Sequence, residues 1–366
     1  MVFTLVYGLG ENMAHQLSNE NDERISTPKE VLRLKDKKVT NVGCGDKFTV
    51  LCTDDHLLYT IGDNDYGQLS LGHFRACTSW TSVNLSIQIE SLVCGDYHSM
   101  LLSDRGEVYA CGRSDKYQIG FSSTDSVAEF RRVPIKEKIK LISSGASHSI
   151  FVTVDNEIMA CGDNTYSQIS SKKKEVFKKP EKIKIDELKG KKIKSVASGY
   201  QHTIYLTEEG NVFCLGNNTF GQLNISLVSI NKAGQGQIIE SISCGSFHSV
   251  VVTDKGEAWA AGKNRNGELG IENDGSNVKD ATRINIGSDV KIDTVKCGNH
   301  HTVLRSTEQR IYCAGKNSGG QLGLGHLDKT FRVNETKFSY PVSKIGAGGY
   351  HSVFTCEVAD DMIENN

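Results

Sequence analysis

The stretch that decides the fold is Cys94-Gly95-Asp96-Tyr97-His98-Ser99-Met100-Leu101-Leu102-Ser103-Asp104-Arg105-Gly106-Glu107-Val108-Tyr109-Ala110-Cys111-Gly112. It holds two apolar runs, His98–Leu102 and Val108–Cys111, split by Asp104-Arg105-Gly106 and fenced by Gly95 and Gly112. Short β-favouring runs divided by Gly and Asp are strands joined by tight turns. A third run, Ser91–Cys94, leads into Gly95. Working outward, the same small-residue-Gly-x-x-His-Ser/Thr turn recurs seven times, with its glycine at 45, 95, 145, 199, 245, 298 and 348. A second turn, of the type Gly-x-Asn-x-x-Gly-Gln-Leu, follows 17 residues later at Gly62, Gly112, Gly162, Gly216, Gly262 and Gly315. Successive copies are 46 to 54 residues apart, a period that marks a repeat architecture.

Each repeat should add a weaker fourth strand in the stretch leading to the next copy. All four prolines, Pro28, Pro134, Pro180 and Pro341, fall there. Proline is tolerated at a sheet edge and not in a central strand, so the fourth strand is outermost. Four-stranded antiparallel sheets repeated radially make an all-β propeller, here with seven blades. The last copy stops after an inner pair of strands, Gly346 to Cys356. Its missing third strand and turn are at the other end of the chain, where Gly10, Asn12 and Gln16-Leu17 match Gly62, Asn64 and Gln68-Leu69. The N-terminal strand should therefore pair into the C-terminal blade and close the ring, leaving no open edge. The expected domain is residues 1–357, followed by a short polar tail, 358–366.

Composition narrows the function. The net charge of −2 argues against a globally basic nucleic-acid binder. Eleven cysteines include no C-x-x-C pair. Cys44, Cys94, Cys244 and Cys297 share a slot that elsewhere holds Ser144, Ser198 and Ala347, so the slot wants a small residue rather than a thiol. Unpaired thiols suit a cytoplasmic or nuclear location. Met1–Tyr7 is too short for a signal peptide or a membrane span, and no membrane association is expected.

Cys94 to Ser99, Asp104 to Gly106 and Gly62-Asp63-Asn64-Asp65-Tyr66-Gly67-Gln68-Leu69 resemble the regulator-of-chromosome-condensation repeat family of seven-bladed propellers. The resemblance covers nearly the whole chain. Kelch propellers need a Gly-Gly pair in each blade, and here the pair occurs only at 319–320 and 348–349. The resemblance implies one of several roles. One branch resembles the exchange factor for the nuclear-transport GTPase Ran, which also docks on nucleosomes. Others are adaptors, or propellers fused to ubiquitin-ligase, kinase or ciliary modules. The exchange-factor branch implies acids and a histidine in the ring of turns. Asp96 matches, but the third turn reads Gly145-Ala146-Ser147-His148. That branch also implies a wedge hairpin after the third blade's second turn. Gly162 to Gly199 spans 37 residues against 33 in the two preceding repeats, too few extra for a wedge. A plant-type ultraviolet receptor needs a tryptophan cluster, and only Trp80 and Trp259 exist.

His98, His148, His202, His248, His301 and His351 share one slot, which Phe48 takes in the first repeat. A residue repeated by symmetry beside a turn glycine is read as structural, hydrogen-bonding backbone locally. His300 is outside the pattern. Strand polarity places both glycine turns on one face and the Asp-x-Gly hairpin tips on the other. The first face carries Asp46, Asp96, Tyr97, Tyr200, Phe247, His300 and Tyr350 at variable turn positions, the candidate partner-binding set. Residues 172–194 hold 11 lysines and 4 acids, including Lys172, Lys173, Lys174, Lys178, Lys179, Lys191 and Lys192. They are a candidate basic stripe on the second face or rim, suited to DNA or an acidic protein. Against that, only Phe177 is interleaved for base stacking.

There is no nucleophile–base pair outside the repeat, no phosphate loop and no metal-ligand spacing. The expected function is a non-enzymatic protein-interaction scaffold, a monomer without metal or cofactor. It binds a protein partner through the Gly-x-x-His face. The alternative is a guanine-nucleotide exchange factor for a Ran-type small GTPase with chromatin association. A third reading is a nucleic-acid binder.

Overall fold

His98 pairs directly with Gly112 across an antiparallel hairpin, and this register explains the fixed spacing of the two turns. The same pairing joins Phe48 to Gly62, His148 to Gly162, His202 to Gly216, His248 to Gly262 and His301 to Gly315. The 17-residue interval is thus the length of one hairpin. Glycine is required at the far end of it. Gly112 sits at φ +105°, and a Cβ there would lie 2.6 Å from the His98 Cα.

The computed structural model of the chain describes residues 1–172, 175–226, 230 and 236–363. It is a ring of seven antiparallel sheets. Blade 1 runs outward from Val39–Cys44 through Phe48–Thr53 and Leu58–Gly62 to Cys77–Val83. The other blades repeat this order. The blade containing Ile193–Ser198, His202–Thr207 and Val212–Gly216 has three strands among the described residues. The fourth strand expected there falls on a stretch that includes residues 227–229 and 231–235, outside the described residues.

The seventh blade closes the ring from both ends of the chain. Its order is Arg24–Lys35, Val2–Glu11, His351–Ala359, Lys344–Ala347. The N-terminus supplies both outer strands, and Gly10 pairs with His351 as Gly112 does with His98. The final strand continues to Ala359, with Val358 buried opposite Phe3. Asp360–Ile363 then forms a short helix, and Ile363 packs on the seam between blades 6 and 7.

The core is divided into seven apolar clusters, one in each seam between adjacent blades. A four-stranded sheet has two faces, and each needs a neighbouring blade to cover it. That is why second strands such as His98–Ser103 and His148–Thr153 are buried at every residue, while outermost strands such as Cys77–Val83 are partly exposed throughout.

Candidate functional site: the ring of Gly-x-x-His turns

The seven turns between the first and second strands meet at one end of the central axis. Backbone hydrogen bonds link neighbouring turns: Asp46 N–H to Asp96 O (3.0 Å), Ala146 N–H to Gly199 O (3.3 Å), Ser246 N–H to Asn299 O (3.3 Å), Asn299 N–H to Gly348 O (3.2 Å) and Gly349 N–H to Gly45 O (3.1 Å). The turn glycines allow this approach. A Cβ on Gly95 would lie 2.4 Å from Gly145 O and 2.3 Å from the His98 ring. The mouth of the channel is lined by these glycines and by the small slot residues Cys44, Cys94, Ser144, Ser198, Cys244, Cys297 and Ala347, around a cavity of about 80 Å³. All eleven cysteines are free, and burial pushes the Cys94 thiol up to about 12, which keeps it protonated.

The repeat histidines lie beneath this ring. Each places Nε2 on a hydroxyl of the next blade: His98 on Ser149 (3.2 Å), His148 on Thr203 (2.9 Å), His202 on Ser249 (3.0 Å), His248 on Thr302 (3.1 Å), His301 on Ser352 (2.9 Å) and His351 on Thr49 (3.0 Å). The sequence pointed to local backbone as their partner, and the observed partner is instead a side chain across the seam. The strand register turns each ring toward the following blade and its hydroxyl. In five cases the hydroxyl donates its proton to the carbonyl of the Gln or Glu six residues after the second-turn glycine, as Ser149 does to Gln118 (2.7 Å). It therefore accepts from the histidine, which fixes the Nε2–H tautomer. Burial lowers these imidazoles to about 4 (His98, His202, His351) or about 3 (His148, His248, His301), so they are neutral.

Above the ring, the variable residues gather into three clusters. In the first, the Tyr97 hydroxyl donates to Asp46 (3.1 Å), and Asn299 donates to the other Asp46 oxygen (3.1 Å). Tyr66 of blade 1 meets Tyr97 edge-on at 5.5 Å, with the Arg113 guanidinium 5.1 Å and 5.5 Å from the two rings. Half-buried Asp96 lies beside them, its carboxyl pushed up to about 7 by desolvation and then by Asp46, with Arg113 opposing. The second cluster is Tyr200, Phe247 and Phe220. Phe247 lies 5.6 Å from Tyr200 and 5.3 Å from Phe220, with Lys263 over both phenylalanines. The third is His300 beside Tyr350 (5.9 Å), with Lys316 over Tyr350 at 4.5 Å. Desolvation, then Lys263 and Lys316, lower His300 to about 4, although buried Glu268 is 3.9 Å away.

All seven expected face residues therefore lie on this face, in three groups rather than one patch. Asn299, Tyr66, Phe220, Arg113, Lys263 and Lys316 belong to the same clusters and escaped the sequence reading. Their signal was available. Arg113, Lys263 and Lys316 each follow a second-turn glycine, a position that changes charge from blade to blade. The lysine segment is dispersed. Lys172 is in the loop on the turn face, Lys178 and Lys179 are on the outer strand Val176–Ile183, and Lys191 and Lys192 reach the opposite face. Lys173 and Lys174 lie outside the described residues. Lys182 pairs with Glu157 and Glu137, and Lys194 with Glu240. The extra length of this repeat forms a turn at Asp186–Leu188, away from the ring. Among the described residues there is no His/Cys/Asp/Glu group able to hold a metal, and no helix long and apolar enough to cross a membrane.

Comparison with known proteins matches residues 89–360 to the RCC1-like domain, and residues 5–52 and 55–102 to the regulator of chromosome condensation (RCC1) repeat. The chain is 40% identical to human E3 ubiquitin-protein ligase HERC2 over 67 residues, which is 18% of this chain and 1% of that protein. It is 47% identical over 47 residues to mouse X-linked retinitis pigmentosa GTPase regulator, 13% of this chain and 5% of that one. The fold matches Prp20p from Saccharomyces cerevisiae, a structure described with its binding to Gsp1p and histones (TM-score 0.85, 22% identity, 99% of this chain and 93% of that one). It also matches human WBSCR16 (TM-score 0.81, 20% identity, 97% and 99%).

Proposed function

The chain belongs to the RCC1-like family of propellers, and from that premise we propose a non-enzymatic scaffold that binds a protein partner through its Gly-x-x-His face. The observation that carries this reading is the hydrogen-bonded ring of turns. It holds three aromatic–charged clusters on a frame that cannot rearrange cheaply, which lowers the ordering cost of binding. Aromatic anchors on rigid loops are the usual centres of binding energy. The working unit is a monomeric propeller, expected over 1–357 but with its closing strand running on to Ala359, acting in the cytoplasm or nucleus without a cofactor.

The test is affinity capture from the source cell followed by binding kinetics. Tyr97→Ala with Tyr200→Ala should speed dissociation at least tenfold. Neutralising Lys172, Lys191 and Lys192 should only slow association at low salt. The reverse pattern would reject this face and favour a nucleic-acid or acidic partner on the lysines.

A second reading, exchange of nucleotide on a Ran-type GTPase, is favoured by the fold likeness to Prp20p and by Asp96 in the second turn. The third turn, Ala146-Ser147, weakens it. Accelerated nucleotide release from such a GTPase, lost in Asp96→Ala, would support it. No acceleration at a large excess of this protein would exclude it.

A further inference from the structure

Two seams of the propeller are filled in the same way. Between blades 1 and 2, Tyr66 packs on Tyr97 under the guanidinium of Arg113. Between blades 4 and 5, Phe220 packs on Phe247 under the ammonium of Lys263. In both, one ring comes from the fifth position of the second turn, the other from the first turn of the next blade. The cation follows that blade's second-turn glycine. At the closing seam, between blades 6 and 7, the equivalent residues are Gly319, Tyr350 and Glu11. The backbone is held alike: Gly319 N–H donates to Gln321 Oε1 at 3.0 Å, as Tyr66 N–H does to Gln68 and Phe220 N–H to Gln222. Tyr350 thus keeps its place while the ring that would cover it is missing.

What remains is a cavity of about 300 Å³ on the turn face, lined by Gly319, Tyr350, Glu11, Arg24, Lys47 and Lys316. Three cations against one acid give it a net charge of +2. Lys316 lies 4.5 Å from the Tyr350 ring centre. Among the described residues, none of Arg24, Lys47 and Lys316 is within ion-pair distance of a carboxylate. Glu11 is the cross-strand partner of Arg24 yet makes no ion pair with it.

We propose that this closing seam is a socket for an aromatic side chain of a protein partner, flanked in that partner by carboxylates. The ring would lie on Tyr350 where Tyr66 and Phe220 lie on theirs. The flanking acids would meet Lys47, Lys316 and Arg24, which the fold leaves without a carboxylate partner among the described residues. The inference rests on the turn face being the binding face and adds the chemistry that the partner presents there.

A capped pentapeptide, phenylalanine between two pairs of glutamates, is titrated into the isotope-labelled full chain and followed by amide chemical shifts. Saturable shifts at Lys316, Gly319 and Tyr350 are expected. The affinity should be at least tenfold above that of the same peptide with alanine at the centre, or with lysines in place of the glutamates. Gly319→Tyr should abolish binding with a small drop in melting temperature, because its Cβ would lie 3.0 Å from the Glu11 amide nitrogen and 3.2 Å from Tyr350 O, and those atoms must give slightly. Tyr350→Leu, which removes the stacking ring but fills nothing, should weaken binding at least fivefold and keeps the test decisive if Gly319→Tyr does not fold. Equal affinity for the alanine peptide would reduce the site to an anion patch and overturn the socket. Absent binding, or binding unchanged in the variants, would do the same. If a captured partner remains sensitive to Tyr97 and Tyr200 but indifferent to Gly319→Tyr, the socket falls and the binding face stands. Indifference to all three rejects the face itself.

Discussion

Acidification should unfold this protein abruptly, and the histidine ring sets where. The six repeat histidines are 0–1% exposed, and each is held neutral with its imidazole lowered to about 3 or 4. In the unfolded chain each titrates near 6.5. The unfolded state therefore binds more protons below that value, and stability falls as pH drops from about 6.5 toward 4. For one histidine the loss is about 1.4 kcal/mol at pH 5.5 and about 2 kcal/mol at pH 5. Six give about 8 and about 12 kcal/mol, comparable to the whole stability of a typical domain, about 5–15 kcal/mol. A midpoint near pH 5 is expected. The assay is an acid titration by circular dichroism at fixed ionic strength, with urea melts at each pH to obtain the free energy. The logarithm of the unfolding constant should approach six protons per pH unit. Phe48 shows that the slot accepts a phenyl ring, and Ser99 opposite it still donates to the Gln68 carbonyl at 2.8 Å. His98→Phe with His248→Phe should therefore fold, lower the slope by two protons and shift the midpoint toward acid. A wild-type protein that stays folded at pH 4, or unfolds with uptake of fewer than two protons, would show that the buried histidines do not set its acid stability.

Removing residues 1–18 deletes the strand Val2–Glu11 and strips Leu5, Val6, Leu9 and Leu17, each 0–1% exposed, from the two seams flanking blade 7. At about 1.5–3 kcal/mol each the loss is about 6–12 kcal/mol. Aggregation on size-exclusion chromatography is expected, and a monomer with an unchanged melting temperature would contradict ring closure. Gly10→Ala places a Cβ 2.4 Å from Tyr350 O at a φ of +113° and should lower the melting temperature by several degrees, whereas Gly190→Ala, with no atom within 4 Å, should cost far less. Asp96 is raised to about 7, so the folded state holds its proton more tightly than the unfolded one, and its contribution falls as pH rises from about 4 to 7. Asp96→Asn should raise the melting temperature at pH 8 and leave it unchanged near pH 4. The gain should be modest, since water reaches this half-buried group, and a loss at pH 8 would show that the charge is needed.

Blade count, strand polarity, the pairing of Gly10 with the last blade and the face on which the variable residues stand are all legible along the chain. These follow from local chemistry: a glycine forced by a positive φ, a hairpin of fixed length, a proline barred from inner strands. The polar landmarks of the turns are equally local. Asn64 accepts the Leu69 amide at 2.9 Å and Gln68 accepts the Tyr66 amide at 3.0 Å, within one loop. What those residues touch across a seam is set by the packing of the blades. His98 and Ser149 are separated by 51 residues, and Asp46 and Asn299 by 253. No period in the sequence says which way a side chain leans between blades. The lysine run reads as one patch along the chain, yet an antiparallel strand and two reversals carry it from one face, over the rim, to the other. Gly319 reads as one more turn glycine. Its meaning as a missing ring appears only when the closing of the chain sets it beside Tyr350, because a vacancy is defined by its neighbours and not by the residue that leaves it.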